Sequence, residues 1–310
     1  MSPAWQVVIA TLAGTAVRFY TLKVDYRQYP SYPQGYTIHL SMGLIASFLG
    51  ALAVPALAAR EFAAASFLGL AATQFREVRK IEREALANLE ETELVRRGAA
   101  YIEGIARVFE ARNYVAMLVA LIVSGVLTVL RPPHALWATA WAVLVTALAL
   151  VTLARTARGL RLGDIATVQR AAIAFDGPLL TVEGAVVLNI GRAPAREIYQ
   201  KQGVAMLLRP RDRAAAATLA NPGQRQAILH DVVARVGVRM DVDEPEFAPI
   251  ARRHVEQDAV VLVIIPQIAD TGAIVRAIRE VPVLEASVQL VGYGEEDTML
   301  PRNLEADRRG

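Results

Sequence analysis

Carboxylates and histidines are the side chains that could carry chemistry here, because the 310 residues contain no cysteine. That composition excludes disulfides, thiolate metal sites and cysteine nucleophiles. A short acidic cluster follows a predicted strand and consists of Asp241, Asp243, Glu244 and Glu246. Carboxylates two positions apart share one side of a strand and could hold Mg²⁺ or Ca²⁺. The neighbouring residues do not complete the motif of a cation-binding loop. We therefore favour a solvent-exposed strand end over a metal site, and no metal is predicted.

The stretch Pro266–Gly272 is a second candidate, since it follows the most apolar predicted strand and opens a helix. Helix amides at such a position can bind an anion. Helix capping by Asp270 or Thr271 accounts for the same residues and is favoured, because a carboxylate there would repel an anion. His230 and His254 are too far apart in the sequence to indicate a shared metal site. The sequence contains no recognisable motif for a Ser-His-Asp triad or for a phosphate-binding loop. The sequence predicts no cofactor and leans towards a protein without catalytic activity.

The elements that position these side chains differ between the two halves of the chain. Four apolar stretches precede residue 155 and none comparable follows; they are Ala4–Val17, Thr37–Ala59, Val115–Leu130 and Ala135–Ala154. A long uncharged run can satisfy its backbone in hydrocarbon only as a helix. The sequence therefore predicts an α-helical multi-pass membrane bundle over residues 1–154, followed by a soluble α+β domain.

The number of crossings depends on Phe62–Gln74, which is apolar but, at about 13 residues, shorter than the roughly 17 to 25 that a span requires. It either crosses as a short, thinned fifth span or lies as a re-entrant or interfacial helix. Cytoplasmic flanks gather Lys and Arg, and the cations of residues 76–114 and those after Ala154 place both regions inside. We favour five crossings over four, with the N-terminus outside, because Arg18, Lys23 and Arg27 then also face inward. The C-terminal domain is expected on the cytosolic side of the cytoplasmic membrane.

A candidate polar patch lies at the first connection between spans and consists of Tyr26, Arg27, Gln28, Tyr29 and His39. Tyrosines at headgroup depth and stiffening prolines favour an interfacial anchor over a site for a partner or headgroup. His39 could relay protons, since ionisable groups at membrane depth are expensive. Its place near a span end favours a hydrated, interfacial histidine instead.

Small residues recur every four positions in the second apolar stretch, at Gly43, Ser47, Ala51 and Pro55. Such a stripe lets another helix approach closely. Packing within the bundle is favoured over a dimer face, because the chain supplies its own neighbouring helices.

The charged insert at 76–114 begins with an amphipathic helix whose basic face carries Arg76, Arg79, Lys80 and Arg83. Anionic lipid headgroups attract such juxtamembrane cations by on the order of 1 kcal/mol each. Pairing with glutamates along the helix is an equal alternative. Over the whole chain the net charge is only +3, with Arg and Glu interleaved. Membrane lipids are therefore predicted as partners and nucleic acid is not.

A second helix leading into the membrane carries the hexapeptide Tyr101, Ile102, Glu103, Gly104, Ile105 and Ala106. With Asp25–Pro30 and Ala71–Arg76, it makes the chain resemble the YIEGIA family, integral membrane proteins of endospore-forming bacteria. The resemblance covers the membrane half and, less distinctly, the remainder. It implies no established activity, but it does imply a membrane location, a Gram-positive spore former and an association with sporulation. Protein partners in spore-envelope assembly would follow from that association.

The remainder divides into a linker and small β unit at 155–202, an α/β sandwich at 203–294 and a flexible charged tail at 295–310. The β unit turns at Asp176-Gly177, a dipeptide typical of hairpins. The sandwich has the order β-α-β-β-α-β, with predicted elements at Val204–Leu208, Gln224–Val236, Val238–Val242, Ala259–Ile265, Thr271–Arg279 and Leu284–Leu290. That order fits a ferredoxin-like sheet with an added helix at Glu246–Glu256, and it also fits a small mixed sheet.

Three hypotheses for function follow. The favoured one is a non-catalytic scaffold or assembly factor that holds the cytosolic α/β domain at the bilayer during spore-envelope formation. The rival is a transporter or membrane enzyme acting on a lipid or small anion, with Arg27, His39 and Glu103 as candidate chemistry. The third is a membrane-tethered ligand sensor that signals through residues 76–114.

Overall fold

The computed structural model describes residues 2–28, 35–73, 75–91, 93, 95–156, 160–241, 244–245, 247–267 and 269–288. Its first half, called the bundle below, consists of α1 (Pro3–Gln28), α2 (Gly35–Ala58), α3 (Phe62–Thr73), α4 (Phe75–Glu90), α5 (Ala99–Leu130) and α6 (Ala135–Thr156). Residues 160–288, called the module, begin with α7 (Leu162–Ile165), β1 (Ala166–Ala171), β2 (Ile173–Asp176), β3 (Leu179–Val182), β4 (Ala185–Asn189), α8 (Ala193–Gln202) and β5 (Val204–Pro210). They continue with α9 (Arg213–Ala220), α10 (Pro222–Val236), β6 (Met240–Asp241), β7 (Glu244–Pro245), β8 (Ile250–His254), β9 (Ala259–Ile264), α11 (Thr271–Glu280) and a 3₁₀ helix (Glu285–Ser287).

Three helices of the bundle are long and apolar enough to cross a membrane. They are Tyr36–Ala58 in α2, Ala99–Leu130 in α5 and Ala135–Leu153 in α6. Helix α1 is 26 residues long and α3 only 12, and within the described ranges neither meets the same criterion. The predicted helical character of the first half is confirmed, whereas a total of four or five crossings stays a prediction.

Glycines allow α1, α2 and α5 to pack closely. A Cβ atom on Gly14 or Gly50 would lie less than 3.0 Å from a backbone oxygen of α5, and one on Gly43 would lie less than 3.0 Å from the Arg18 side chain. Ser47 and Ala51 of the same α2 stripe are buried. The small residues of α2 therefore serve contacts within this chain.

The main sheet of the module is antiparallel and has the strand order β1-β5-β9-β8. The predicted last strand, Leu284–Leu290, is wrong: Glu285–Ser287 is a 3₁₀ helix, and residues 289 and 290 lie outside the described part. The predicted helix at Glu246–Glu256 is also wrong, since it contains β8. Strand β1 takes the edge beside β5. The edge strand therefore comes before β5 in sequence, whereas in the predicted ferredoxin-like order it comes last.

Both faces of this sheet are covered, which explains why all six residues of β9 are buried. Helices α10 and α11 cover one face. The antiparallel meander β2-β3-β4 and helix α8 cover the other, with Leu180 and Tyr199 packed against Leu207 and Val261. The predicted hairpin turn is present, with Gly177 at φ 56°. Because β1 belongs to the main sheet, the sheet begins well before the predicted boundary at residue 203.

One helix belongs to both halves. At the start of α5, Ile102, Ile105 and Phe109 join the core of the module together with Met206 and Leu262. Further along, α5 contributes Val119, Ala120, Val123 and Leu127 to the core of the bundle. At 32 residues, the helix is roughly 48 Å long. The bundle and the module are therefore joined by a continuous rigid element.

Candidate functional site at the junction of bundle and module

The family hexapeptide forms the first turns of α5. Gly98 precedes the helix at φ 92°, a left-handed backbone that favours glycine. The backbone N–H of Tyr101 donates to Oε1 of Gln226 at 2.9 Å, which satisfies one of the free amides at this helix end. Tyr101, Ile102, Ile105 and Ala106 are buried. Four of the six residues are therefore packing residues.

Glu103 points away from that core and towards α4. Its carboxylate pairs with Arg79 and lies 3.8 Å from both Arg83 and Arg107. Arg79 also donates to Glu110 at 3.3 Å. The hexapeptide thus combines an apolar side for the module with one acidic residue that holds α4.

Gly104 lets the 3₁₀ helix of the module approach α5, since a Cβ atom there would lie 3.3 Å from that of Ala286. Next to this contact, Arg112 Nη2 donates to both carboxylate oxygens of Glu285 at 3.0 Å. Buried Gln224 fixes the same segment: its Oε1 accepts from the backbone N–H of Leu284 at 2.7 Å and from Ser287 Oγ at 3.0 Å. The segment is therefore held from both α10 and α5.

A fully buried arginine lies where the bundle meets this junction. Arg18 of α1 has no exposed surface. Its Nε donates to Asn113 Oδ1 at 3.1 Å, and its Nη1 donates to Thr21 Oγ1 at 3.2 Å. The stem of the side chain lies against Gly43 of α2. A buried cation is costly unless it is hydrogen-bonded and near an anion, so these contacts explain how α1 accommodates it.

The anion near Arg18 is Glu82 of α4, which is 3% exposed. Its Oε2 lies 3.8 Å from His39 Nε2. Burial raises the pKa of Glu82 to about 7, and the nearby Arg18 acts in the opposite direction. A carboxyl group that titrates near neutrality can hold or release a proton at this point. We call Arg18, His39, Glu82 and Asn113 the buried polar cluster.

The buried polar cluster is connected to the module. Arg112 Nη1 donates to the backbone oxygen of Thr21 at 3.3 Å, while its other terminal nitrogen holds Glu285. A chain of polar contacts therefore runs from Arg18 through Thr21 and Arg112 to the 3₁₀ helix. Within the described ranges, no group of three or more histidine, aspartate or glutamate residues is placed to hold a metal ion.

His39 differs from the expectation of a hydrated histidine at the interface, since it is only 4% exposed. Its ring packs edge-on against Phe109, with ring centroids 4.2 Å apart. The reason is that α1, α4 and α5 close around the start of α2. Of the other patch residues, Tyr26–Gln28 have helical backbone, and their side chains and all of Tyr29 lie outside the described part.

The residues predicted to bind lipid headgroups differ in their ion pairs and in their exposure. Arg79 is engaged by two glutamates, Arg83 lies near one, and Lys80 is exposed. The side chain of Arg76 lies outside the described part. Headgroup binding by this face stays a prediction.

Of the two sites weighed in the module, Asp270 caps α11 by accepting from the Gly272 N–H at 2.7 Å, so the capping interpretation is confirmed. In the acidic cluster, Asp241 and Glu244 belong to the paired strands β6 and β7. Asp243 and Glu246 lie outside the described residues.

Sequence reasoning missed Arg18, Glu82 and Asn113 as a group. Their positions did carry a signal, because Arg18 directly follows one apolar stretch and Asn113 closely precedes another. Residues at such ends fall at a similar depth in adjacent helices. Glu82, on a separate amphipathic helix, had no comparable signal.

The fold and the site define a class of protein: a bundle containing helices of membrane length that shares one helix with an α/β module. A family model described as "YIEGIA protein" matches residues 6–291. The chain therefore belongs to the YIEGIA family, which confirms the resemblance. It is also similar to "Uncharacterized protein YphB" of Bacillus subtilis (strain 168), with 42% identity over 287 residues that cover 92% of this chain and 94% of that protein. No solved structure matches the chain.

Proposed function

We propose that this protein is a non-catalytic scaffold, embedded in the cytoplasmic membrane, that presents its α/β module to a partner on the cytosolic side. The observation that carries the proposal is α5, which contributes to the cores of both bundle and module. A shared helix fixes the module relative to the membrane, and the Arg112–Glu285 pair reinforces that orientation. The link to spore-envelope assembly rests on the family resemblance.

The proposal includes five crossings with the N-terminus outside. Helix α3 supports a fifth crossing, because Ala64 and Leu68 line a groove with Leu52 and Ala59 of the α2 segment. Farther on, Glu82 of α4 reaches His39 at the start of α2. The described residues 62–73 and 75–82 therefore lead from the end of α2 back to its start. The exposed Lys80 then lies at the cytosolic surface, where anionic headgroups would meet it.

This topology is testable because the chain has no native cysteine. Single cysteines would be introduced at two exposed positions, Ser2→Cys before α1 and Thr167→Cys in β1. A membrane-impermeant maleimide should label Ser2→Cys in intact cells and Thr167→Cys only after permeabilisation. Protection of both would indicate four crossings. Labelling of Thr167→Cys in intact cells would place the module outside and contradict the proposal.

The surface assigned to the partner is the edge strand β8 and the adjoining part of α10. Arg252 and Arg253 are exposed there. Burial and these two neighbouring cations lower the pKa of Arg225, whose Nη1 donates to the backbone oxygen of Ala251 at 3.2 Å. Arg253 also pairs with Asp258, whose Oδ1 lies 2.8 Å from its Nη2. Three neighbouring arginines still leave an excess of positive charge, and an acidic partner surface would offset the cost of holding them together.

The scaffold hypothesis is tested by affinity capture from sporulating cells together with the yield of heat-resistant spores. Arg252→Glu combined with Arg253→Glu should remove the captured partner and lower the spore yield. Arg209→Glu, at an exposed position of the interior strand β5, is the matched control and should leave both unchanged. A double variant that keeps its partner and its spore yield would contradict the assigned surface.

The buried polar cluster favours a second candidate, proton-linked transport or sensing, because Glu82 is placed to titrate beside His39. The variants His39→Gln and Glu82→Gln distinguish the two hypotheses. A scaffold retains its partner and spore yield in both variants. Loss of spore yield with the partner still captured would favour the second candidate.

A further inference from the structure

An apolar groove of about 640 Å³ lies at the end of the bundle remote from the module. Its walls come mainly from α2 and α3, with Phe48, Leu49, Leu52 and Leu68 among the lining residues. The volume lies within the roughly 300–1,000 Å³ that is usual for small-molecule sites. Because α2 is one of the helices of membrane length, the groove opens at a depth where acyl chains are the available apolar molecules.

Helix α3 contributes Ala64 and Leu68 to the lining of the groove. The Ala64 side chain is a single methyl group, so at this position α3 leaves space beside α2.

A polar mouth adjoins the groove. A second cavity of about 290 Å³ is lined by Gln6, Thr128, Arg131 and Pro132. Gln6 and Thr128 also line the apolar groove, and so does the carboxylate residue Glu61. The two cavities are therefore neighbours, and Arg131 lines one of them and Glu61 the other.

We propose that these adjoining cavities bind one phospholipid with a zwitterionic phosphate-and-amine headgroup. An acyl chain occupies the groove, the headgroup phosphate lies at Arg131 and the ammonium lies at Glu61. Arg131 can bind phosphate by charge-assisted hydrogen bonds. Glu61 would repel an anionic headgroup without an amine, so the mouth selects between lipid classes by charge. This site lies away from the surface assigned to a partner and is independent of the scaffold hypothesis.

Native mass spectrometry of the full-length protein tests the proposal. The protein is delipidated in mild detergent and then exposed to equal amounts of phosphatidylethanolamine and phosphatidylglycerol. One phosphatidylethanolamine per chain should be retained in preference to phosphatidylglycerol. Arg131→Gln and Glu61→Gln should each lower that occupancy about tenfold, the change that corresponds to about 1.4 kcal/mol. Ala64→Phe, which fills the groove from α3, should lower retention of both lipids.

The matched control is Arg60→Gln, which removes an exposed cation beside Glu61 that lines neither cavity. It should retain the lipid as the wild type does, and circular dichroism checks that each variant is folded. Equal retention of the two lipids by the wild type, or none, would overturn the proposal. So would a loss in Arg60→Gln as large as that in Arg131→Gln, because the effect would then be general surface charge.

Discussion

At the scale of single residues, the buried polar cluster is the most costly feature of this protein. Arg18 and Glu82 lose their hydration in the folded state, and each depends on the other, while Arg18 also has the neutral partners Asn113 and Thr21. Replacing the Glu82 carboxylate by an amide keeps the shape of the side chain and removes its titration, but it also removes the negative charge near Arg18. The predicted effect of this substitution on pH dependence follows from the lost titration.

Glu82→Gln should flatten the dependence of stability on pH. The pKa of Glu82 rises from 4.5 to about 7 in the folded protein, so the folded state binds this proton more tightly than the unfolded state. Its contribution to stability is therefore complete below pH 4.5 and is lost as the pH rises through 7. The loss amounts to at most roughly 3 kcal/mol. Thermal unfolding in detergent at pH 5 and pH 8 measures it, and parallel behaviour of wild type and variant would contradict it.

Gly43→Ala should destabilise the bundle by about 1–3 kcal/mol, because the added methyl group collides with the rigid stem of Arg18. Gly69→Ala is the matched control. It adds the same methyl group to α3, where no heavy atom lies within 4 Å of the new Cβ position, so the substitution should be neutral or slightly stabilising. The unfolding temperatures of the two variants in detergent measure the difference. Equal losses of stability in both variants would contradict the close approach at Gly43.

At the scale of elements, α2 continues through Pro55, although proline has no N–H to donate to Ala51. The oxygen of Ala51 is satisfied from another helix, since Ser124 Oγ of α5 donates to it at 2.7 Å. A side chain of α5 thus replaces the missing backbone bond of α2. This contact explains why a proline is tolerated inside a helix of membrane length.

Ser124→Ala should cost about 1–3 kcal/mol, the usual penalty for a buried carbonyl left without its donor. In a Pro55→Ala background the cost should be smaller, because residue 55 then supplies the helical N–H. A double-mutant cycle on unfolding free energies measures this coupling. Additive effects of the two substitutions would show that Ser124 does not replace the bond.

At the scale of the whole molecule, α5 makes the module dependent on the bundle. Ile102, Ile105 and Phe109 belong to the module core although the nearest strand of that core lies more than fifty residues further along the chain. The 3₁₀ helix that follows α11 then closes over α5 through Ala286 and Glu285. The module is therefore incomplete without a helix from outside its own sequence range.

A fragment of residues 160–310 should accordingly expose apolar surface and aggregate when expressed alone. Fusing residues 96–112 to its N-terminus through a flexible linker should restore a soluble monomer, since those residues supply the missing core helix. The same fusion with Ile102→Asp and Ile105→Asp is the control and should fail. Binding of a hydrophobic dye and size-exclusion chromatography measure the difference. A soluble, dye-negative fragment without the helix would contradict the shared core.

Several elements of this fold were predictable because their signals are local. The apolar runs of α2, α5 and α6, the Asp176-Gly177 turn and the Asp270 cap each depend on residues within a few positions of one another. The edge of the main sheet was not predictable in this way. Leu284–Leu290 has the composition of a strand, but β1 already pairs with β5, so the later segment packs against α5 and α10 instead.

By itself, the sequence determined which segments are apolar helices, where the chain changes to an α/β composition and, through its hexapeptide, which family it resembles. Only the tertiary structure decided that Arg18 meets Asn113, 95 positions away, and that Arg112 meets Glu285, 173 positions away. The physical reason is that helix and turn formation depend on neighbours along the chain. The partner of a buried charge is instead set by how distant helices pack.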